Sequence, residues 1–314
     1  MPHATSPSTL VRIGIDWGGT KIEILAIDPQ GRELHRERIS TPQRDYEGAI
    51  RAAAALVDST EKKLGGTCTI GVGMPGIINP HTGLVKNANS TWLIGKPLRA
   101  DLEKAFHREI RCANDANCLA LSEAIDGAGA GKHVVFAAIL GTGCGAGIAI
   151  GGKVHSGLNG LAGEWGHTPL PWQRADEYPG CPCYCGQRGC IETWISGTGF
   201  AADFEHHAAE AQTAEEIVAL ASPESPQSSH ALAALDRYED RLARSLGQII
   251  NVLDPDVIVL GGGMSKVARL YENVPPLLPQ YAFGREAITP VFPAKHGDSS
   301  GVRGAAWLWP LLDH

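Results

Sequence analysis

Short apolar runs that end in glycine alternate with amphipathic stretches along most of this chain. Residues 11–28 have the pattern of a strand, a turn and a second strand, with the turn at residues 17–21. The same plan recurs over residues 134–150, with its turn at residues 141–145. This repeat predicts an α/β protein with two similar lobes that face each other.

Between and after the two repeats, the pattern predicts further strands and helices. The strand that begins at Ile110 passes directly into a helix that opens near Asn114 and Asp115. An Asp at the carboxyl end of a strand lies where α/β clefts hold their chemistry, although helix capping is an alternative role for Asp115. The other predicted elements are strands at 69–74 and 257–260, helices at 213–221 and 230–253, and a closing small-residue stretch at 301–310 with two Trp that pack on the first lobe.

Composition narrows the class of protein. The 314 residues include 38 Gly, which favours many tight loops beside ligands, and the length suits two lobes with a cleft. A net charge of -7 offers no basic face for nucleic acid. Residues 1–9 lack an apolar signal core, and no uncharged stretch of spanning length follows, so we expect a cytoplasmic protein that neither binds DNA nor enters a membrane.

The glycine turns have the composition of phosphate-binding loops. Backbone amides in such turns form anion-binding concavities, so two turns from opposite lobes predict that ATP binds between them, although each turn alone is more typical of a plain hairpin. Lys21 can meet phosphate charge, and Asp16 can hold Mg²⁺ through water. Neither a Rossmann fingerprint nor a P-loop is present. The predicted nucleotide-binding residues are Asp16, Gly18, Gly19, Thr20, Lys21, Gly141, Thr142 and Gly143, with Gly261, Gly262 and Gly263 against the adenosine.

Half of the 8 Cys fall in one ten-residue stretch, residues 181–190. Cys183, Cys185 and Cys190, together with His167 upstream, form a tetrahedral donor set that is typical of zinc. A disulfide pair or a group of buried thiols is the alternative. A fully ligated site of this kind is structural, and Cys181 stays open as a substitute ligand.

Together these motifs resemble the ROK family of bacterial sugar kinases and repressors. The resemblance rests on residues 16–21, 114–117, 141–143 and 164–167 and on the cysteine cluster through Glu192. Three segments, at 86–92, 163–167 and 260–265, look most like the fructokinase (mannofructokinase) branch of that family.

The resemblance implies an actin-like, hexokinase-type fold of two ribonuclease H-like lobes with a central cleft for ATP and sugar. We expect an N-terminal lobe at 1–113, to which a helix at 302–314 returns, and a C-terminal lobe at 114–301 that contains a zinc-bound loop at 164–192. Asp115 is the expected general base, and the predicted sugar-binding residues are Gly76, Asn89, Asn114, Asp115, Glu164, His167 and Glu192.

The activity implied is ATP- and Mg²⁺-dependent phosphorylation of fructose to fructose 6-phosphate, with mannose as a second substrate and a homodimer as the assembly. A glucokinase or an N-acetylhexosamine kinase is the alternative within the family. Two other classes of protein are alternatives. A sugar-sensing repressor is disfavoured, because we expect the first strand to begin near Val11, which leaves no room for a DNA-binding module before it. An actin-like ATPase is disfavoured, because it would not need the His167 and cysteine cluster.

Overall fold

The computed structural model describes residues 11–88 and 90–310. Its first half contains a five-stranded sheet with two helices and a two-stranded ribbon. In chain order these elements are β1 (Arg12–Trp17), β2 (Lys21–Ile27), β3 (Glu33–Ser40), α1 (Tyr46–Leu64), β4 (Thr69–Met74), β5 (Ile77–Ile78), β6 (Val85–Lys86), α2 (Leu98–Phe106) and β7 (Arg111–Asn114).

The rest of the described chain forms a second five-stranded sheet and the remaining helices. In chain order these elements are α3 (Asp115–Ile125), β8 (Val134–Leu140), β9 (Cys144–Ile150), β10 (Lys153–Val154), α4 (Glu192–Ile195), α5 (Gly197–Ala208), α6 (Ala214–Leu220), α7 (Ser228–Leu253), β11 (Val257–Gly261), α8 (Arg269–Tyr281), β12 (Val291–Pro293) and α9 (Ser300–Trp307).

The two sheets share one topology. The first has the order β3-β2-β1-β4-β7 and the second β10-β9-β8-β11-β12. In each, the first three strands are antiparallel neighbours, and the last two run parallel to the first strand. The predicted pair of similar lobes is therefore confirmed. Because the parallel strands end at the same edge, the turns after β1 and β8 and the start of α3 lie at the carboxyl ends of strands, where α/β sheets bind ligands.

Local signals explain where the elements begin and end. The Asp45 carboxylate accepts a hydrogen bond from the Gly48 amide at the start of α1, and Gly65 ends that helix in the left-handed conformation at φ 73°. The strand β2 is buried along nearly its whole length, as expected for a strand inside a sheet that is covered on both faces.

Helices α3 and α9 cross at the junction of the two halves. A Cβ at Gly71 of β4 would overlap the carbonyl oxygen of Ala305, and one at Gly304 would overlap the carbonyl oxygen of Cys118. Glycine is required at both positions because α9 lies directly on the first sheet and on α3. Beyond α9, Trp309 donates its indole N–H to the Ile70 carbonyl of β4 at 2.7 Å.

The expected helix at 302–314 is corrected in its bounds, since α9 begins at Ser300 and ends at Trp307, and residues 311–314 lie outside the described part of the chain. The division into lobes at residue 113 stays a prediction, although β7 ends one residue later, at Asn114. Across residues 11–88 and 90–310, no helix combines the length and the apolar character that crossing a bilayer requires.

Candidate active site

The junction of β7 and α3 places two neighbouring polar residues in different roles. The Asn114 side chain caps α3 by accepting a hydrogen bond from the Asn117 amide at 2.7 Å. Asp115 is the first residue of the helix, and its carboxylate accepts the adjacent Ala116 amide at 2.8 Å. The alternative in which Asp115 caps the helix is therefore wrong, because Asn114 already fills that position.

Asp115 and Asp16 both line a cleft of about 490 Å³. Burial, followed by the charge of Asp115, raises the pKa of Asp16 to about 6, and Lys21 opposes this shift. Burial also raises the pKa of Asp115, whose side chain opens onto the cleft but lies deep between protein walls. Two carboxylates with raised pKa in one cleft leave negative charge that a divalent cation can neutralise, and oxygen ligands are what Mg²⁺ prefers.

The structure brings most of the predicted nucleotide-binding residues to the wall of this cleft, but not all of them. Those in the wall are Asp16, Gly18, Gly19, Thr20, Gly261 and Gly262. Lys21 pairs instead with the buried carboxylate of Glu23 at 3.9 Å. The turn at Gly141, Thr142 and Gly143 follows β8 and does not line the cleft. Gly263, which begins a short 3₁₀ helix after β11, does not line it either.

Sequence reasoning missed one wall of the cleft, the segment that leads into α9. Gly297, Asp298, Ser300 and Gly301 line the same cavity as Asp16 and Gly261. The signal available in the sequence was the pair of glycines, Gly297 and Gly301, on either side of Asp298. His296 pairs through Nε2 with Asp126 at 3.1 Å, away from Asp298.

A second, smaller cavity of about 140 Å³ lies on the other side of the β7–α3 junction. Gly76, with φ at 78°, and Asn114 are the two predicted sugar-binding residues in its wall. Its other lining is mixed, with the polar residues Asn117 and Ser156 and the residues Met74, Ile77, Ile78, Pro80, Cys112, Ala113, Gly157 and Gly160. Asn89 lies outside the described residues.

The three remaining predicted sugar-binding residues group beside Asp115 without lining either cavity. Burial raises the pKa of Glu164, His167 opposes that shift, and the charges of Asp115 and Glu192 add to it. Glu192 also accepts the Cys144 amide at 2.8 Å, which ties the second glycine turn to the start of α4. The carboxylates thus share one electrostatic environment.

The four predicted zinc ligands converge. One donor atom from each of His167, Cys183, Cys185 and Cys190 lies within 4.8 Å of the others. Cys183 Sγ is 3.5 Å from His167 Nδ1, and Cys185 Sγ is 3.6 Å from Cys190 Sγ. A tetrahedral zinc ion with bonds of about 2.3 Å to sulfur and about 2.0 Å to nitrogen separates its ligands by about 3.5 to 3.8 Å. The donor set therefore fits zinc, and Cys181 is not in it.

Buried ion pairs hold the segment at 164–192 against α7. Glu177 accepts from Arg241 at 2.9 Å and from Arg244 at 2.6 Å, and all three side chains are almost fully buried. Burial alone would raise the pKa of Glu177, but hydrogen bonds from Arg244, the Arg174 amide and Arg241 lower it to about 2. The carboxylate consequently stays charged and paired at neutral pH.

The second ring nitrogen of His167 contacts a neighbour that sequence reasoning did not consider. Its Nε2 lies 2.9 Å from the hydroxyl of Tyr184, and the two rings meet edge to face at 5.0 Å. The predicted contact of His167 with sugar stays a prediction, and in the structure the Tyr184 hydroxyl lies beside this nitrogen.

The arrangement of two lobes, a carboxylate cleft and a Cys₃His cluster matches a known family along almost the whole chain. The model of the ROK family matches residues 12–311. The chain belongs to the ROK family. An N-acetyl-D-glucosamine kinase of Haemophilus influenzae is 40% identical over 301 residues, which cover 94% of this chain and 98% of that protein. A Yersinia pseudotuberculosis N-acetyl-D-glucosamine kinase is 38% identical over 299 residues, covering 94% and 97%.

Solved structures agree with this assignment. The ROK hexokinase of Thermus thermophilus superposes with a TM-score of 0.84 at 29% identity, covering 95% of this chain and 97% of that one. A ROK glucokinase of Streptomyces griseus, solved with glucose and AMPPNP, gives a TM-score of 0.74 at 27% identity, covering 95% and 98%. The hexokinase-type fold is thereby confirmed, and this ROK protein is an ATP-dependent sugar kinase.

Proposed function

We propose that this ROK kinase transfers the γ-phosphate of ATP to the primary hydroxyl of a hexose, with Asp115 as the general base. The observation that carries the proposal is the position of Asp115. Its carboxylate opens onto the larger cleft, while the adjacent Asn114 takes over the capping of α3 and lines the smaller cavity. The proposed base is therefore not the cap of α3, and it lines a nucleotide-sized cleft next to a residue that lines a smaller pocket.

Each residue of the site has a definite part in this chemistry. Phosphoryl transfer needs alignment, neutralisation of charge and a carboxylate that accepts the alcohol proton. The raised pKa of Asp115 brings it closer to the operating pH, which suits a general base. Asp16 would hold Mg²⁺ beside the phosphates, and the amides of the turn at residues 18–20 would donate to phosphate oxygens. Bound Mg²⁺ neutralises charge on the transferred phosphoryl group.

N-acetyl-D-glucosamine is the first sugar to test. Two relatives at 38% and 40% identity over nearly the full chain are kinases of that sugar. The cavity of about 140 Å³ beside Asn114 supports the same choice, because it has an apolar wall for a methyl group and polar residues, Asn114 and Ser156, for an amide.

D-Fructose is the second candidate, and sequence favours it. The segments at 86–92, 163–167 and 260–265 resemble the fructokinase branch. The first of these contains Lys86, whose positive charge acts on Glu164. The similar proteins do not support fructose specifically, so the order of preference between fructose and N-acetylglucosamine has to be measured.

The Cys₃His cluster would hold a structural zinc ion, because all four positions are filled by protein donors. Its contribution is to order the segment from Glu164 to Glu192, which carries two of the acidic residues grouped beside Asp115. Zinc would thus act on sugar affinity and not on the chemical step.

A coupled assay of ADP release across N-acetylglucosamine, fructose, mannose and glucose tests the function and ranks the sugars. We expect at least one sugar to stimulate ADP release strongly over the sugar-free rate. If no sugar does so, the proposed hexose kinase activity is wrong. If fructose has the highest kcat/KM, the preference for N-acetylglucosamine is wrong and the fructokinase branch is the correct one.

A further inference from the structure

The segment that leads into α9 forms one wall of the larger cleft, and its serines hold it in place. The Ser299 hydroxyl accepts a hydrogen bond from Arg36 of β3 at 2.9 Å. The Ser300 hydroxyl donates to Glu123 of α3 at 2.9 Å, and both of these side chains are buried. These contacts tie the wall to the first sheet and to the helix that begins at the proposed base.

Asp298 differs from the two serines that follow it. It lines the cleft, and 84% of its side chain is exposed. Its ion-pair partner within the described residues is Lys266, with Nζ at 4.0 Å and 71% of that side chain exposed. A pair of exposed charges at this distance contributes little to stability, so a ligand can replace it at small cost. Asp298 is therefore the acidic side chain of this wall that a ligand can reach.

The position of Lys266 shows which part of the cleft Asp298 belongs to. Lys266 is the last residue of the 3₁₀ helix Gly263–Lys266, which begins two residues after β11 ends. Gly261 and Gly262, at the end of β11, line the same cleft as Asp298. The Asp298 carboxylate thus lies on the side of the cleft where we expect the adenosine.

Asp16 belongs to a different part of the cleft. The charges with the largest effect on its pKa come from four groups, Asp115, Lys21, Glu23 and Arg38. Asp298 is not one of these groups, so it stands apart from the predicted position of Mg²⁺ and the phosphates. The nucleoside is the part of ATP that remains for Asp298 to contact.

The chemistry of a carboxylate selects one part of the nucleoside. An ionised carboxylate only accepts hydrogen bonds, and it repels the phosphates. The two adjacent ribose hydroxyls are donors that one carboxylate can accept with its two oxygens, and carboxylates recognise ribose hydroxyls in this way in dinucleotide-binding folds. Hydrogen bonds from hydroxyls to a carboxylate are also short and strong. The ribose is therefore the best match for Asp298.

We propose that Asp298 is a nucleotide-binding residue of this kinase, which accepts hydrogen bonds from the ribose hydroxyls of ATP and leaves Lys266 on doing so. The inference rests on the proposed function, in which the larger cleft holds ATP. Its consequence is that the enzyme distinguishes ATP from nucleotides that lack a ribose hydroxyl, because a carboxylate left without a donor loses part of the binding free energy.

Asp298→Ala tests the proposal in steady-state assays with ATP, 2′-deoxy-ATP and 3′-deoxy-ATP, each with the best sugar of the panel in excess. In the wild type, we expect the KM for at least one deoxy nucleotide to exceed that for ATP about 3- to 30-fold, the effect of losing a hydrogen bond to a carboxylate. In Asp298→Ala, the KM for ATP should rise by a similar factor, and the ratio of the two KM values should fall to about one. The kcat should change little, since the contact is the same before and during phosphoryl transfer.

Lys266→Ala is the matched control, because it removes the other half of the same exposed ion pair. It should keep the wild-type ratio of the KM for the deoxy nucleotide to the KM for ATP. A ratio that falls to one in both variants would show a general effect of charge at the cleft and would overturn the inference.

Other results would also overturn it. A wild type that does not discriminate, or an Asp298→Ala variant that keeps the wild-type ratio, would show that the carboxylate makes no contact with ribose. A rise in KM that is equal for all three nucleotides and is reversed by excess Mg²⁺ would place Asp298 at the metal instead. Loss of discrimination in Glu215→Ala alone would place the ribose beside α6, where Glu215 lies near Gly263. Failure of the wild type to phosphorylate any hexose with ATP would refute the proposed function itself, independently of Asp298.

Discussion

At the scale of single residues, the site depends on a division of labour between Asn114 and Asp115. Asn114 caps α3 by accepting the Asn117 amide, so the Asp115 carboxylate, which accepts the adjacent Ala116 amide, is not needed as the helix cap and faces the cleft. An uncompensated carboxylate costs stability, and proteins retain such groups where they are used. The same argument applies to Asp16 on the opposite wall.

Asp115→Asn separates chemistry from structure. The substitution keeps the shape of the side chain and leaves the cap on α3 with Asn114. We expect kcat to fall about 10²- to 10⁴-fold, the range for a positioned general base, with little change in the KM for ATP. Steady-state kinetics and thermal unfolding on one preparation provide the measurement, with the exposed Asp58→Asn of α1 as the control. Near wild-type turnover in Asp115→Asn would show that Asp115 is not the general base.

Asp16→Asn should stabilise the ligand-free protein. A carboxylate whose pKa is raised in the folded state to about 6 favours its protonated form, so it destabilises the fold once pH rises above the unfolded value of about 4. The increase in the free energy of unfolding of the variant over wild type should therefore be absent near pH 4 and grow through pH 6. It should be complete near pH 8, at about 1 to 3 kcal/mol. Thermal unfolding from pH 4 to 8 measures this. A gain that is equal at all pH values would contradict the raised pKa.

At the scale of elements, the metal cluster and the Glu177 ion pairs hold one long segment from two sides. The cluster joins His167 to Cys190, while Arg241 and Arg244 of α7 fix the middle of the segment through Glu177. Little regular secondary structure lies between these anchors. Its order therefore depends on metal ligation and buried charge more than on backbone hydrogen bonding.

Cys185→Ser should lose the metal and weaken sugar binding. The purified wild-type protein should contain about one zinc ion per chain, and the variant much less, because one thiolate of a four-ligand set is gone. The KM for sugar should rise while the KM for ATP changes little. Cys181→Ser is the matched control, since Cys181 lies outside the donor set. Equal zinc content in wild type and Cys185→Ser would contradict the ligand assignment.

Arg244→Met should destabilise the protein by about 3 kcal/mol, because it leaves Glu177 buried with only part of its compensation. Chemical denaturation of the zinc-loaded protein measures the loss. A double variant that also carries Glu177→Gln should recover part of the stability, since the unpaired charge is removed with its partner. Additive losses in the double variant would show that the two residues do not act as a pair.

Sequence predicted the elements closest to the site better than the contacts between them. The turn after Asp16 and the cysteine spacing were readable because a short local pattern specifies each of them. The contribution of residues 297–301 to the cleft was not, since it depends on how α9 packs across the junction. The contact between His167 and Tyr184 was likewise hidden, because the two side chains meet only in the folded segment.

At the scale of the whole molecule, two lobes of one topology place a nucleotide-sized cleft and a smaller cavity on either side of the β7–α3 junction. Helices α3 and α9 pack against each other at that junction through Gly304. The expected homodimer stays a prediction, and light scattering that gives twice the mass of 33.2 kDa would support it.

Transfer of label from γ-³²P-ATP shows whether phosphate passes from ATP to a hexose at the site that contains Asp115. With the best sugar of the panel, we predict that the label appears in hexose 6-phosphate, at a rate that Asp115→Asn reduces about 10²-fold or more. Label found only in inorganic phosphate, at a rate indifferent to sugar, would show an ATPase and contradict the account.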